Sequence, residues 1–130
     1  MAKLRILVLD DEPIVGNRLR PALGKLGHDV DVVTSGSEAI QRIEERVYDI
    51  VVSDIRMEGI DGMEVLRRAR ARSSRTLVIM ITGFATVDAA REALTLGAFD
   101  FIAKPFKLDD LRATIARAAQ KLAEMADSQV

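Results

Sequence analysis

Short apolar runs alternate along the chain with segments whose apolar residues recur every three or four positions. The runs are Leu4–Leu9, Val30–Val33, Ile50–Val52, Leu77–Ile81 and Phe99–Ala103. Runs of this length, apolar on both sides, read as strands buried on both faces. Between them, Val15, Leu19, Leu23 and Leu26 step at helical spacing, as do Ile40, Ile43 and Val47, then Val65, Leu66 and Ala69. Ala89, Ala90, Ala93 and Leu94 form a fourth, small-residue set, and Leu108, Leu111, Ile115, Ala118 and Leu122 a fifth. Each set predicts a helix with one face toward a core. The order is strand then helix, repeated five times.

The punctuation agrees with this division. Pro13 suits the first turn of the first helix, and Gly27 stands where a left-handed cap closes it. Ser35 with Glu38 reads as a capping box opening the second helix. Asp61 and Thr86 are caps for the third and fourth helices, and Gly97 ends the fourth. Strands rich in Val, Ile and Leu, separated by helices, predict an α/β fold with a parallel sheet covered on both faces. Right-handed crossovers reduce the choices to a few doubly wound topologies. One domain over residues 1–126 is expected, followed by a frayed tail at 127–130.

Composition narrows the function classes. The 130 residues are 48% hydrophobic and 30% charged with a formal net charge of -1, which fits a globular chain without a general attraction to nucleic acid or anionic lipid. There is no cysteine, which excludes disulfides, thiolate zinc sites and cysteine nucleophiles. The first residues lead directly into a strand-like run, and no apolar stretch approaches the roughly 18 residues of a membrane helix. A cytoplasmic protein with no membrane partner is the expectation.

The chemistry lies at the strand ends. The first strand runs into Asp10 and Asp11, the third into Asp54, the fourth into Thr82 and the fifth into Lys104. In an open parallel sheet these carboxyl ends form the ligand-binding edge. Like charges gathered there repel, at about 4 kcal/mol per pair for 4 Å and an effective dielectric near 20. A cation resolves that strain. Carboxylate oxygens suit a hard ion such as Mg2+, which combines a few carboxylates with waters and phosphate oxygens. A metal, an ammonium and a hydroxyl together are also what holds a phosphoryl group. No Walker loop or dinucleotide glycine fingerprint is present, so phosphate would be met by metal and lysine rather than by a glycine cradle.

Each residue has a plainer role if taken alone. Asp11 can cap the first helix, Asp54 can belong to a loop, Thr82 to an ordinary strand, and Lys104 can be solvated. Their convergence on one predicted edge is what favours a site. Other features are weaker. His28, the single histidine, falls in the turn after the first helix and reads as a surface turn residue. The cluster Arg67, Arg68, Arg70, Arg72 and Arg75 reads as a solvated helix face, with Glu64 four residues before Arg68. With aromatics at 4% and no tryptophan, stacking on nucleic-acid bases lacks its usual side chains.

These motifs carry a resemblance. Leu9-Asp10-Asp11-Glu12-Pro13, Ser53-Asp54-Ile55-Arg56-Met57, Ile81-Thr82-Gly83 and Ala103-Lys104-Pro105-Phe106 resemble the receiver domains of bacterial two-component response regulators. Gly83 to Val87 and Gly97 to Phe101 look most like the receivers of nitrogen-regulator-type transcription activators. The resemblance implies a flavodoxin-like five-stranded sheet of order 2-1-3-4-5. It also implies phosphorylation at Asp54 by a sensor histidine kinase or histidine phosphotransfer protein, with Mg2+ as cofactor. Asp11, Asp54 and the Arg56 carbonyl would bind the metal directly, and Asp10 would help through water. Lys104 would pair with the acids at rest and with the phosphoryl oxygens afterward, Thr82 would also hold those oxygens, Phe101 would be the switch aromatic, and the Lys104-Pro105 bond would be cis. The surface of the fourth helix, fifth strand and fifth helix would then engage an effector domain or a second copy.

Two departures from the family pattern stand out. Glu58 occupies the usual proline position, and Phe101 is often tyrosine in relatives. The module is expected to catalyse at most its own phosphorylation and dephosphorylation. The enzyme alternative is a Mg2+-dependent aspartyl phosphatase, but such enzymes place an acid two residues after the nucleophile, where this chain has Arg56. A flavodoxin-type electron carrier would share the topology, yet the acids of the first turn would repel a flavin phosphate.

Overall fold

The computed structural model describes residues 3–55, 61–83 and 86–127. The elements are β1 (Arg5–Leu9), α1 (Pro13–Gly24), β2 (Asp29–Val33), α2 (Gly36–Glu45), β3 (Ile50–Asp54), α3 (Gly62–Arg72), β4 (Leu77–Thr82), α4 (Val87–Thr95), β5 (Asp100–Ala103) and α5 (Leu108–Asp127). The five strands pair in parallel in the order β2-β1-β3-β4-β5. This is the doubly wound α/β sheet that the resemblance implied. Arg56 and Glu58, and the tail at 128–130, lie outside the described residues. Asp127, expected in the frayed tail, is the last residue of α5.

Alternation along the strands divides the core in two. Ile6, Val8, Ile50, Val52, Ile79 and Ile81 pack on the side of Leu19 and Leu23 from α1 and Leu111, Ile115 and Leu122 from α5. Leu7, Leu9, Val51, Val78 and Met80 pack on the other side against Ile40 and Ile43 of α2, Val65 and Leu66 of α3 and Ala93 of α4. All residues of β3 and β4 are buried, as central strands covered on both faces should be.

The helix starts follow the side-chain chemistry. Ser35 accepts from the Glu38 N–H, Asp61 from the Glu64 N–H and Thr86 from the Ala89 N–H. Gly27 and Gly97 have φ of 90° and 100°, a backbone region that side-chain-bearing residues seldom enter. Gly16 has a steric role that the pattern did not reveal. α1 lies so close to β2 that a Cβ at Gly16 would overlap Val32 Cγ1.

Some expectations fail. Leu26 and Val47 are 45% and 41% exposed, because α1 ends at Gly24 and α2 at Glu45, leaving both in turns. Leu94 is 54% exposed; its neighbour Ala93 is the residue that α4 buries. His28 is not a surface residue but is buried at 7% exposure, its Nδ1 accepting from the Leu4 N–H at 3.2 Å. Burial holds its pKa below the ordinary value, against the opposing pull of Asp49. The bond to a backbone donor turns a turn residue into a tie between β1 and the approach to β2. The arginine cluster is partly absorbed internally. Arg67 and Arg68 pair with Glu64, Arg68 also with Glu44, and Arg70 donates to the carbonyls of Ser74 and Thr76.

Candidate functional site

The site lies at the carboxyl edge of the sheet, where the strands end at nearly one level. Asp10 follows β1, with its N–H directed to the Val33 carbonyl at 3.3 Å. It is 1% exposed, and its Oδ1 accepts from the Glu12 N–H at 2.9 Å. Asp54 is the last residue of β3 and is 4% exposed. Ser53 Oγ donates to the Asp54 carbonyl at 3.0 Å, and the Gly62 N–H donates to the Ile55 carbonyl at 2.8 Å. Gly62 packs so tightly on this turn that a Cβ would overlap the Asp54 carbonyl oxygen. Backbone from β3 and α3 therefore grips Asp54 from behind, leaving its carboxylate facing the edge.

Lys104 follows β5 and crosses to the acids. Its N–H donates to the Thr82 carbonyl at 2.8 Å, and its bond to Pro105 is cis, as the resemblance implied. Its Nζ lies 2.7 Å from Asp10 Oδ2, 2.9 Å from Asp54 Oδ2 and 3.5 Å from Glu12 Oε1. Residues 10, 54 and 104, distant in sequence, thus meet at one ammonium. Burial alone would lower the lysine pKa, but hydrogen bonding and charge from Asp10 and Asp54 outweigh it and hold the ammonium above the ordinary lysine value. The cation is firmly charged.

Thr82 ends β4 and is 1% exposed, and its carbonyl anchors Lys104. Gly83 borders open space, where a Cβ would meet nothing within 4 Å, so crowding in this state does not require glycine there. Phe101 is half-buried on the α4 side, packed on the core cluster that contains Ala93, and is not part of the acid cluster. Asp11 is exposed and does not cap α1; the N-cap residue is Glu12, without a side-chain cap bond.

The donor set fits a hard divalent cation. Carboxylate oxygens of Asp10, Asp11 and Glu12 come within 4.8 Å of one another. The buried Asp10 Oδ2 has the Lys104 ammonium, 2.7 Å away, as its partner. A buried carboxylate oxygen of that kind suits an ion or its bound water. Asp54 does not belong to this group and joins it through Lys104. Glu12 was not expected among the acids. Its extended backbone at the start of α1 turns it toward the edge, a feature visible only once the helix start is placed.

Sequence comparison then gives the class. The response regulator receiver domain model matches residues 6–116, and the chain belongs to that family, whose members are phosphorylation-dependent switches of two-component signalling. Receiver domains of this family work with histidine kinases and effector domains. Among curated relatives, the regulatory protein AtoC of Escherichia coli K12 is 40% identical over 116 residues, covering 89% of this chain and 25% of AtoC. The transcriptional regulatory protein TcrA of Mycobacterium tuberculosis H37Rv is 41% identical over 112 residues, covering 86% of this chain and 44% of TcrA. The chain therefore spans a quarter to under half of these relatives. Among solved structures, the beryllofluoride-activated NtrC4 receiver domain dimer has a TM-score of 0.85 at 32% identity, covering 91% of this chain and 98% of that one. A receiver domain protein from Clostridium thermocellum reaches 0.87 at 29% identity, covering 94% and 98%. No helix among the described residues is long and apolar enough to cross a membrane.

Proposed function

We propose that Asp54 is the phosphoryl acceptor of this switch, served by a sensor histidine kinase or a histidine phosphotransfer protein. The observation that carries the reading is the single ammonium of Lys104 held between Asp10 and Asp54 at 2.7 and 2.9 Å. The Asp54 carboxylate is the nucleophile, and Lys104 is placed to follow the charge from the carboxylates onto the incoming phosphoryl oxygens. Phosphoryl transfer is loose, so such positioning and charge neutralisation do most of the catalytic work. Asp10, Asp11 and Asp54, with the Arg56 carbonyl, would hold Mg2+, Glu12 standing beside them. When bound, the metal supplies positive charge to equatorial oxygens that the lysine alone cannot fully neutralise.

The product adds close to two negative charges at Asp54. Thr82, at the end of the neighbouring strand, donates its hydroxyl to the new oxygens and draws the β4–α4 connection inward, and Phe101 follows as the switch aromatic. Moving such an equilibrium from 1:99 to 99:1 takes about 5.5 kcal/mol of differential binding. The responding surface is the α4-β5-α5 face, where Val87 and Leu94 of α4 are 70% and 54% exposed. That face would meet an effector domain or a second copy, with transcription control as the output of a longer protein. Beyond its own phosphorylation and dephosphorylation the module is not an enzyme, and it acts in the cytoplasm without contacting nucleic acid itself.

Incubation with a small phosphodonor and Mg2+ followed by intact-mass measurement tests the reading. One added phosphate on the wild type and none on Asp54→Asn is expected. Phosphate on the variant would show that the acceptor lies elsewhere.

A further inference from the structure

Glu12 opens α1 without using its side chain there. It is the N-cap residue, extended at φ -93° and ψ 104°, with no side-chain cap bond. Its backbone is fixed on both sides: the N–H donates to Asp10 Oδ1 at 2.9 Å, and the carbonyl accepts from the Val15 N–H at 3.0 Å. From that fixed point the side chain reaches Lys104, with Oε1 3.5 Å from Nζ, and no other cation among the described residues pairs with it. Both groups border a cavity of about 410 Å3 that also meets Arg18, so nothing crowds the glutamate when it lets go.

The three acids around the ammonium are not equivalent. The side chains of Asp10 and Asp54 are 0% and 6% exposed, so neither releases the lysine without stranding a buried charge. The Glu12 side chain is 62% exposed, and water takes its charge when the lysine leaves. We propose that Glu12 is a positioning residue, a releasable tether that holds the Lys104 ammonium toward the turn after β1 and delays its move to the incoming phosphoryl oxygens. The proposal rests on the reading of Asp54 as the acceptor. The tether acts before transfer and not after it. In the resting site the ammonium must leave Glu12 to meet the transition-state charge, so a ground-state contact is lost on the way and adds to the barrier. In the phosphorylated site the ammonium already lies on the phosphoryl oxygens, and hydrolysis neither makes nor breaks the Glu12 contact. Glu12 thus sets how fast the switch is charged, not how long it stays charged.

Phosphorylation by acetyl phosphate with Mg2+, and loss of phosphate once the donor is removed, can be followed by intact mass in wild type, Glu12→Asp and Glu12→Gln. Asp keeps the charge but is one methylene shorter and is a favoured N-cap, so it turns to the helix start. Both variants should be phosphorylated about two- to fivefold faster, the scale of an exposed ion pair, and should lose phosphate at the wild-type rate. A wild-type or slower phosphorylation rate in Glu12→Asp overturns the proposal, since net charge and not reach would then matter. A matching change in the loss rate overturns it as well. A second measurement needs neither transfer nor metal. NMR relaxation of the Lys104 ε-methylene should give a lower order parameter in Glu12→Asp than in wild type, and an equal one overturns the tether. The calorimetric Mg2+ affinity of Glu12→Asp should match the wild type; a loss would make Glu12 an acid of the metal site and overturn the proposal. Phosphate gained by Asp54→Asn would instead refute the acceptor assignment, and the relaxation would still judge the tether independently.

Discussion

Lys104 stands between two carboxylates whose side chains are 0% and 6% exposed, so its charge holds their mutual repulsion in check. Removing one member of a buried ion pair typically costs about 3–5 kcal/mol, because the remaining charge loses its compensation. Lys104→Met should therefore lower stability by about 3 kcal/mol in chelator-treated buffer. Added Mg2+ should restore part of that loss if the acids hold the ion. Urea titrations with and without Mg2+ would measure both effects. His28 gives a pH prediction of definite sign. Its folded pKa lies below the ordinary 6.5, so the unfolded chain binds the proton first. The contribution is present above 6.5 and is lost as the pH falls below it. Asn at position 28 can offer an oxygen to the Leu4 N–H without titrating. His28→Asn should flatten the fall in stability between pH 7 and 5, as followed by thermal melts across that range. Neither role could be read from the residue type, since a lone lysine or histidine has a surface fate by default. Neighbours remote in the chain decided both.

At the scale of the element, α1 carries two glycines that sequence alone does not distinguish. Gly16 lies against Val32, whereas Gly24 has nothing within 4 Å of a would-be Cβ. Gly16→Ala should thus destabilise by about 1–3 kcal/mol through overpacking. Gly24→Ala, in the same helix, should stabilise by about 0.5 kcal/mol by restricting the unfolded chain. Opposite shifts of the melting temperature would check the pair; equal shifts would show that α1 does not press on β2. The helix starts were legible for a related reason. Ser35, Asp61 and Thr86 bond within three residues of themselves, so their chemistry is local. The ends were less so. The apolar spacing of Leu26 and Val47 continues past Gly24 and Glu45, but at those positions the chain must turn back toward the sheet, and both residues are left exposed.

Across the whole molecule, two apolar layers share one sheet. Leu23 belongs to the layer under α1 and α5, and Leu66 to the layer under α2, α3 and α4. Because the same strands line both layers, neither can melt while the sheet persists. Leu23→Ala and Leu66→Ala should each cost about 2–5 kcal/mol, lower the urea midpoint and leave the slope unchanged. Separate transitions by fluorescence and far-ultraviolet dichroism would mean that the layers unfold independently. The same architecture aligns the ends of β1, β3, β4 and β5 at one edge, which is why the acids, Thr82 and Lys104 form a single site.

By itself the sequence determined the five strand-and-helix units, the parallel α/β class, the N-caps of α2, α3 and α4 and the set of polar residues at strand ends, because those features depend on periodicity and on bonds between near neighbours. The strand order came from the motifs that resemble receiver domains; periodicity alone left several doubly wound arrangements open. The pairing of Lys104 with the acids was implied by the same resemblance; only the tertiary structure decided that Glu12 joins them, that His28 is buried, that Gly16 and Gly62 are confined, and that a cavity opens beside Arg18. Each of these depends on distances between segments far apart in the chain, set by how the helices pack across the sheet, and no local pattern encodes them.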